Sequence, residues 1–236
     1  MKRIYIAVVA IVLSLAGLYM VSNTYRIRNA TEESKCQSNL SSIGSAMYEY
    51  HNKYGCFPPS RIVRGDQKFV HSWRVLLLEF IDPKTFNEYR FDDAWDSPNN
   101  RLLESKMPSS YSCPADIRGK HQHHTSYFVA VGPDTVFPEL TTIHLNDIVK
   151  PHSETVLVLE SIGRGVHWMQ PNDLDLKVML DSKAKVIGQV LFSNHIRGPL
   201  VCMVDLSKCH IRDFEDDTVE ELIKKSSIRQ KQVVLP

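Results

Sequence analysis

Residues 4–21 read IYIAVVAIVLSLAGLYMV, and residues 36–54 read CQSNLSSIGSAMYEYHNKY. The first stretch carries no charge. As a helix it would rise about 27 Å at ~1.5 Å per residue, close to the ~30 Å hydrocarbon core of a bilayer. A helix that is apolar on every face needs lipid around it or burial on every face. We therefore expect residues 1–22 to form a membrane anchor.

This apolar stretch has two interpretations, a retained anchor and a cleaved signal peptide. Ser14-Leu15-Ala16 would serve as a cleavage site of the small-x-small type. The apolar run continues past that site through Val21, longer than is usual for a signal peptide, and this favours the retained anchor. Either interpretation places the bulk of the chain outside the cytoplasm. The retained anchor predicts a single-pass protein of the cytoplasmic membrane. The basic start of the chain favours an inside N-terminus, although Arg26 and Arg28 beyond the span weaken that indication.

The second stretch has the periodicity of an amphipathic helix. Its apolar positions are spaced three and four residues apart and fall on one helical face; they are Cys36, Leu40, Ile43, Met47, Tyr50 and Tyr54. Gly55 and then Pro58-Pro59 end the pattern, as a C-cap and helix breakers do. The apolar span and this helix could form one rod packed on a globular domain. The alternative is two helices with a break around Ser22-Asn23-Thr24.

The remaining chain has the pattern of a mixed α and β structure. Short helices are expected near 72–80, 84–89 and 100–105, and strands at 126–131, 155–160, 186–192 and 200–205. Residues 201–204 are continuously apolar and should form a central strand. Strands that follow one another without long helices favour an antiparallel sheet with helices on one side. The predicted fold is α+β, with a long N-terminal helix on an antiparallel sheet.

The domain organisation predicted from these patterns has three parts. Residues 1–22 are the transmembrane anchor, residues 23–207 the extracytoplasmic α+β domain, and residues 208–236 a C-terminal helical tail. In that tail, residues 218–221 read TVEE and fit a capping box that opens a short helix.

Composition excludes several classes of protein. Lys and Arg total 28 and Asp and Glu total 27, so the net charge is +1 and there is no basic excess for binding nucleic acid. A chain that is 43% hydrophobic and 23% charged is not a disordered one. Its five cysteines include no Cys-x-x-Cys pair, which argues against a zinc ribbon. We expect no cofactor and no nucleic-acid partner.

The histidines offer two candidate sites. His121, His123 and His124 are the clustered metal-ligand candidates, but with no matching second half-site in the sequence an exposed polar loop is favoured and no metal is predicted. His195 and Asp205 suggest acid–base chemistry. Their spacing also fits a hairpin with a turn at 197–199, and we favour this structural role. Because no nucleophile elbow or phosphate loop accompanies them, we expect no enzyme.

Aromatic residues provide the remaining binding candidates. Trp95, His167 and Trp168 could line a ligand groove, with Pro171 and Asp173 beside them. An aromatic side chain packed on a sheet is the commoner arrangement for such residues.

Several short strings occur together in a specific order. They are CQSNL at 36–40, YGCFPP at 54–59, SWRVLL at 72–77, WDSPNN at 95–100, CPAD at 113–116, ETVLVLE at 154–160 and, last, His195 with nine residues before Asp205. This order resembles a bacterial envelope family of unknown function that has a prepilin-type N-terminus and a C-terminal His-x9-Asp-Gly signature. The resemblance implies a pseudopilin-like, pilin-type architecture. It implies no established activity.

The chain departs from this family in two places. Members usually begin with a Gly-Phe-Thr-Leu-x-Glu cleavage and methylation motif, whereas residues 4–8 here read IYIAV. Processing by a prepilin peptidase, and filament assembly that relies on that Glu, are therefore in question. The final Gly of the signature is Leu206. If the Gly serves a turn with positive φ, a leucine there would be strained.

The cysteines are expected to include a disulfide, because disulfides persist in exported domains. The family resemblance places a cysteine at both Cys36 and Cys113, and we prefer that pair to Cys56–Cys113. Cys202 is expected to be a buried strand residue. Cys209 could pair with Cys56 or remain free, and the odd total leaves at least one thiol without an intramolecular partner.

Three functions are compatible with the sequence. The favoured one is a membrane-anchored structural or interaction protein of the cell envelope, whose partners would be the membrane, further copies of itself or other envelope proteins. The alternative is a tethered module that binds a small solute or glycan, and it predicts an aromatic-lined pocket. A hydrolase has the least support.

Overall fold

The N-terminal segment is one uninterrupted α-helix. The computed structural model describes residues 2–64, 69–117, 122–139, 141–181 and 191–211. Helix α1 spans Lys2–Tyr54, 53 residues, and runs without a break through Ser22-Asn23-Thr24. Of the described helices, α1 is the one that is long and apolar enough to cross a membrane. The predicted continuous rod is therefore confirmed.

Helix α1 has two halves with different environments. Every residue from 2 to 28 is exposed, and the first buried residue is Asn29. Beyond it, the predicted apolar stripe is buried from Cys36 to Met47. Tyr50 is only partly buried and Tyr54 is exposed. The stripe ends earlier than predicted because Tyr54 lies at the edge of the domain, where its hydroxyl donates to Glu79 Oε2 at 2.8 Å.

The remaining described helices are short. They are α2 (Trp73–Leu76), α3 (Leu78–Ile81), α4 (Pro83–Glu88), α5 (Pro98–Arg101) and α6 (Leu176–Asp181), with 3₁₀ turns at Glu104–Lys106, Ser109–Tyr111, Leu145–Asp147 and His152–Glu154. Side chains of Ser72, Asp82 and Ser97 accept hydrogen bonds from backbone N–H groups at the starts of α2, α4 and α5. These caps explain why the helices begin where they do.

A four-stranded antiparallel sheet forms the centre of the domain. The described strands are β1 (Arg61–Arg64), β2 (Phe69–Ser72), β3 (Tyr127–Phe128), β4 (Ala130–Val131), β5 (Val156–Glu160), β6 (Leu174–Asp175), β7 (Leu200–Met203) and β8 (Lys208–His210). The main sheet has the order β3-β5-β7-β8, with all pairs antiparallel. Strand β7 has a neighbour on each side, so its predicted central position is confirmed.

Two small sheets flank the main one. Strands β1 and β2 form an antiparallel hairpin that the sequence pattern did not predict. Strands β4 and β6 pair in parallel, a departure from a wholly antiparallel arrangement. The predicted strand at 126–131 is interrupted at Val129, whose N–H donates to the Asp173 carboxylate at 3.0 Å and whose carbonyl accepts from Leu174 N–H. These two hydrogen bonds of Val129 direct the second half of the predicted strand toward β6.

The core lies on both faces of the main sheet. Tyr127, Val158 and Cys202 belong to the apolar cluster that includes the buried stripe of α1. Their strand neighbours Phe128, Leu159 and Val201 belong to a second cluster. Alternate residues of a strand point to opposite faces of the sheet. The first cluster therefore lies on the face that α1 covers, and the second lies on the opposite face.

Some predicted elements fall outside the described residues. Residues 186–190 of the predicted strand at 186–192 lie there, as does His121. Of the predicted tail, Lys208–His210 forms β8 of the main sheet, and residues 212–236 lie outside the described part of the chain.

Candidate functional site

Four buried side chains with reactive or metal-ligating atoms meet where α1 packs on the sheet. They are Cys36, Cys113, Glu160 and His195, and one ligand atom from each lies within 4.8 Å of all the others. We call this group the CCEH cluster. Among the described residues, it is the one group of three or more Cys, His, Asp or Glu side chains that close together.

Each member of the CCEH cluster comes from a different element. Cys36 lies on the buried stripe of α1, and Cys113 follows the 3₁₀ turn Ser109–Tyr111, where its N–H donates to Ser126 Oγ at 3.0 Å. Glu160 is the last residue of β5. His195 lies in the loop before β7, in a turn closed by the Gly198 N–H and the His195 carbonyl. The cluster therefore joins four segments that are distant in the sequence.

The imidazole of His195 contacts two other members of the cluster. Its Nε2 lies 3.4 Å from Cys113 Sγ and 3.3 Å from Glu160 Oε1. Its Nδ1 is buried and has no hydrogen-bond partner among the described residues. A buried polar atom without a partner costs about 1–3 kcal/mol, and more if the ring carries a charge.

Glu160 is held by further hydrogen bonds. Oε1 accepts from the Ser193 hydroxyl at 3.2 Å, and Oε2 accepts from the Leu200 N–H at 2.9 Å. The side chain is completely buried. Because a buried carboxyl group without partners would be costly, these bonds and the contact with His195 stabilise Glu160 and hold its orientation.

The two thiols differ in acidity. The hydrogen bond from Cys113 lowers the pKa of Cys36 to about 7 despite burial, and His195 and Tyr127 act in the same direction. The same bond and burial raise the pKa of Cys113. For His195, burial acts to lower the pKa, but hydrogen bonds to Cys36 and Glu160 outweigh it and raise the pKa to about 10.

A second layer of polar groups surrounds the cluster. The Tyr127 hydroxyl hydrogen-bonds to Cys36 and accepts from Asn39 Nδ2 at 3.2 Å. Asn39 also donates to the Ser112 carbonyl at 3.0 Å, next to Cys113. Burial raises the pKa of Tyr127, so its hydroxyl stays protonated and can donate to a thiolate. Such outer groups orient the inner ones.

The structure brings the expected disulfide partners Cys36 and Cys113 together but leaves both as free cysteines. Cys56 and Cys202 are free as well. Cys202 is fully buried on β7, as predicted for a strand residue.

His195 and Asp205 have different surroundings. His195 is buried and contacts Glu160, at the end of β5. Asp205 is exposed in the β7–β8 turn, where it accepts from the Ser207 N–H at 2.9 Å. Leu206 has φ 65°, so the β7–β8 turn holds a leucine in the left-handed conformation.

The other candidate residues form a separate aromatic group. The rings of Trp95 and His167 are 5.5 Å apart, and His123 lies 6.5 Å from His167. Trp168 is fully buried, and its Nε1 donates to the Glu104 carbonyl at 3.1 Å. His124 pairs with His167 through the backbone. His167 therefore contacts both Trp95 and His123 in this group.

The sequence did not predict the roles of Glu160 and Asp173. Glu160 was taken only as the end of a strand, although a charged residue closing the apolar run VLVLE is a signal of a buried polar contact. Asp173 was considered as part of a groove. Its side chain is instead buried in an ion pair with Arg74, with Nη2 2.7 Å from Oδ1.

Comparison with known sequences assigns the chain to a family. Residues 26–173 match the profile of a family described as protein of unknown function (DUF1559), and the chain belongs to that family. The matched region contains Cys36, Cys113 and Glu160, whereas His195 and Asp205 lie beyond it. No curated protein and no solved structure matches the chain.

Proposed function

We propose that this protein is a membrane-anchored structural or interaction protein of the bacterial cell envelope, with a pseudopilin-like arrangement and its folded domain outside the cytoplasm. The observation that carries the proposal is the division of α1. One continuous helix has an exposed, uncharged segment at residues 4–21 and a second half packed against a sheet.

The exposed half of α1 has the properties of a lipid-facing segment. Its large apolar side chains are exposed around the whole circumference, among them Ile4, Tyr5, Ile6 and Leu18. A helix that docks on a single protein partner needs only one apolar face, whereas a helix surrounded by lipid must be apolar on every face. Basic residues flank the segment on both sides, at Arg3 and Arg26. Such residues sit at membrane–water interfaces.

The packed half of α1 fixes the domain to the anchor. At the lower end, Asn29 accepts from the Ile196 N–H and donates to the Asn194 carbonyl, both at 3.4 Å. Further along, the Tyr48 hydroxyl donates to the Val204 carbonyl at 2.5 Å. These contacts support display of a rigid domain at the membrane. In a membrane, the anchors of several copies or of other envelope proteins could pack side by side.

The alternative function, a tethered binding module for a solute or glycan, has less support from the described residues. The predicted aromatic group is packed around the buried Trp168. The groove beside α1 is lined mainly by serines and other small or polar residues, including Ser38, Ser42 and Ser109. We also propose a non-catalytic role, because the four side chains of the CCEH cluster are buried and not presented to a substrate.

Fractionation combined with intact-mass measurement tests the anchor. The full-length protein is expressed in a bacterium, and membranes are washed with carbonate and then extracted with detergent. We expect the protein only in the detergent extract and with residues 2–21 present. A variant with Leu13→Arg and Leu15→Arg should shift to the soluble or carbonate-released fraction, because charged residues at the centre of a span cost several kcal/mol.

Topology is tested in the same cells by adding protease to spheroplasts. Digestion of the domain while a cytoplasmic control protein stays intact supports an extracytoplasmic location. A soluble mature protein that lacks the first sixteen or so residues, or a domain protected from protease, contradicts the proposal.

A further inference from the structure

The CCEH cluster has the ligands, spacing and burial of a metal centre. We propose that Cys36, Cys113, Glu160 and His195 bind one structural Zn²⁺ ion that fastens helix α1 to the sheet. This site is independent of the proposed envelope role, so the failure of either proposal leaves the other in place.

The donor set favours zinc over other common cations. Two thiolates, one imidazole nitrogen and one carboxylate oxygen are the ligands that Zn²⁺ takes in proteins. Ca²⁺ and Mg²⁺ require mainly oxygen ligands, and the cluster supplies only one carboxylate. Four protein ligands with no open position define a structural site, and complete burial of the group agrees with that.

The distances fit tetrahedral coordination. With Zn–S bonds of about 2.3 Å and Zn–N or Zn–O bonds of about 2.0–2.2 Å, tetrahedral ligands are separated by roughly 3.3–3.8 Å. Cys113 Sγ lies 3.4 Å from His195 Nε2, and Glu160 Oε1 lies 3.3 Å from the same nitrogen. All four ligand atoms lie within 4.8 Å of one another, so coordination would require the more distant pairs to approach by roughly 1 Å.

The surroundings match those of a metal site. Ligating carboxylates and thiolates are normally hydrogen-bonded by outer groups. Glu160 has the Leu200 N–H and the Ser193 hydroxyl, and Cys36 has the Tyr127 hydroxyl. The Cys113 sulfur receives a backbone hydrogen bond from Ala115. Each of these ligands therefore has an orienting contact in addition to its place in the cluster.

Nδ1 of His195 is buried without a hydrogen-bond partner among the described residues, whereas a zinc-bound histidine usually donates its second ring N–H to an outer group. The proposed site therefore rests on the chemistry and the positions of the four ligand atoms. Binding releases the thiol protons and, where present, the imidazolium proton, and no redox step is involved.

Metal content of the purified protein is the primary test. Full-length protein is extracted in detergent, kept reduced and measured by plasma mass spectrometry together with protein concentration. We expect about one zinc per chain. Cys36→Ser and Cys113→Ser should each lower zinc content roughly tenfold or more. The matched control Cys56→Ser, which lies outside the cluster, should keep the wild-type content.

A measurement on the wild-type chain covers the case in which cysteine variants fail to fold. Zinc is removed with chelator in denaturant, and the protein is refolded with Co²⁺. A tetrahedral site with two thiolates should give intense visible d–d bands and a thiolate-to-cobalt charge-transfer band. Glu160→Gln should fold but release its metal to a chromogenic chelator faster than the wild type.

Several results would overturn the zinc site. These are wild-type protein without zinc, zinc content unaffected by Cys36→Ser and Cys113→Ser, or refolding with Co²⁺ that gives no thiolate charge-transfer band. A Cys36–Cys113 disulfide, detected as an intact mass lower by two hydrogens before reduction, would also overturn it, because oxidised sulfurs do not ligate zinc.

Discussion

Leu206 lies directly over Gly44, so closely that a Cβ on Gly44 would be 2.7 Å from Leu206 Cδ2. Leu206 holds φ 65° in the β7–β8 turn, and Gly44 is buried on helix α1. Helix α1 and the β7–β8 hairpin therefore meet at Gly44, which has no side chain, and at Leu206, which has a strained backbone conformation. Non-glycine residues in that region cost about 1–3 kcal/mol, and packing of the leucine on α1 offsets part of that cost.

The contact predicts coupling between these two positions. In a Leu206→Ala background, Gly44→Ala should be neutral or stabilising by up to ~1 kcal/mol, because alanine has the higher helix propensity. In the wild-type background the same change should be less favourable by at least ~0.5 kcal/mol, because the new methyl group meets Leu206. Urea unfolding of the four proteins measures this. Additive effects of the two substitutions would contradict the contact.

The Arg74–Asp173 ion pair predicts a large loss of stability on neutralisation. Arg74 donates to both oxygens of Asp173 and to the Tyr127 carbonyl, so it joins α2 to β3 and the segment before β6. Asp173→Asn leaves a buried guanidinium without its counter-charge and should cost about 3–5 kcal/mol.

Thermal or urea unfolding compares Asp173→Asn with Asp175→Asn. The control residue is exposed, and asparagine replaces aspartate well at the helix start that Asp175 caps. The control should change stability by less than ~0.5 kcal/mol. Equal effects of the two substitutions would show that the buried pair does not stabilise the fold.

We predict that the fold loses stability in mild acid because of His167. Burial, assisted by the positive charge of Arg101, lowers the pKa of His167 to about 4. Its Nδ1 accepts from the Met169 N–H at 3.3 Å, which requires the neutral ring. The unfolded histidine takes up its proton near pH 6.5, so its contribution is complete above that pH and is lost as pH falls toward about 4.

The measurement is the difference in unfolding free energy between wild type and His167→Gln at several pH values. The wild type should lose about 1 kcal/mol relative to the variant between pH 7 and pH 5, after allowance for solvent screening. The variant isolates His167 from the other titrating groups. Parallel pH profiles for the two proteins would refute the assignment.

The features that the sequence could predict are those with a local signal. Helix α1 follows from an uncharged run and a repeat of three and four residues, and both depend only on neighbouring positions. The buried strand β7 follows from four consecutive apolar residues. The hairpin β1–β2 had no such signal, because Arg61 and Arg64 interrupt any apolar alternation.

The candidate site depends on contacts that no local pattern contains. Cys36 and Cys113 were paired as an expected disulfide, but Glu160 was missing and nothing in the sequence joined His195 to the two cysteines. His195 was compared with Asp205 because their spacing suits a hairpin, whereas its carboxylate partner comes from another strand. The parallel β4–β6 pair likewise depends on Asp173 capturing the Val129 N–H. These contacts join residues that are distant in the sequence, and they can override local secondary-structure propensity.

The absence of a break in α1 has a mechanical consequence. Between Val21, at the end of the apolar segment, and Asn29, where the domain begins, lie two turns of helix, or about 12 Å at ~1.5 Å per residue. If the apolar segment spans a bilayer as proposed, the domain would be held at a fixed distance from the membrane surface. Any tilt, rotation or lateral pull on the anchor would then be transmitted through the helix to the sheet.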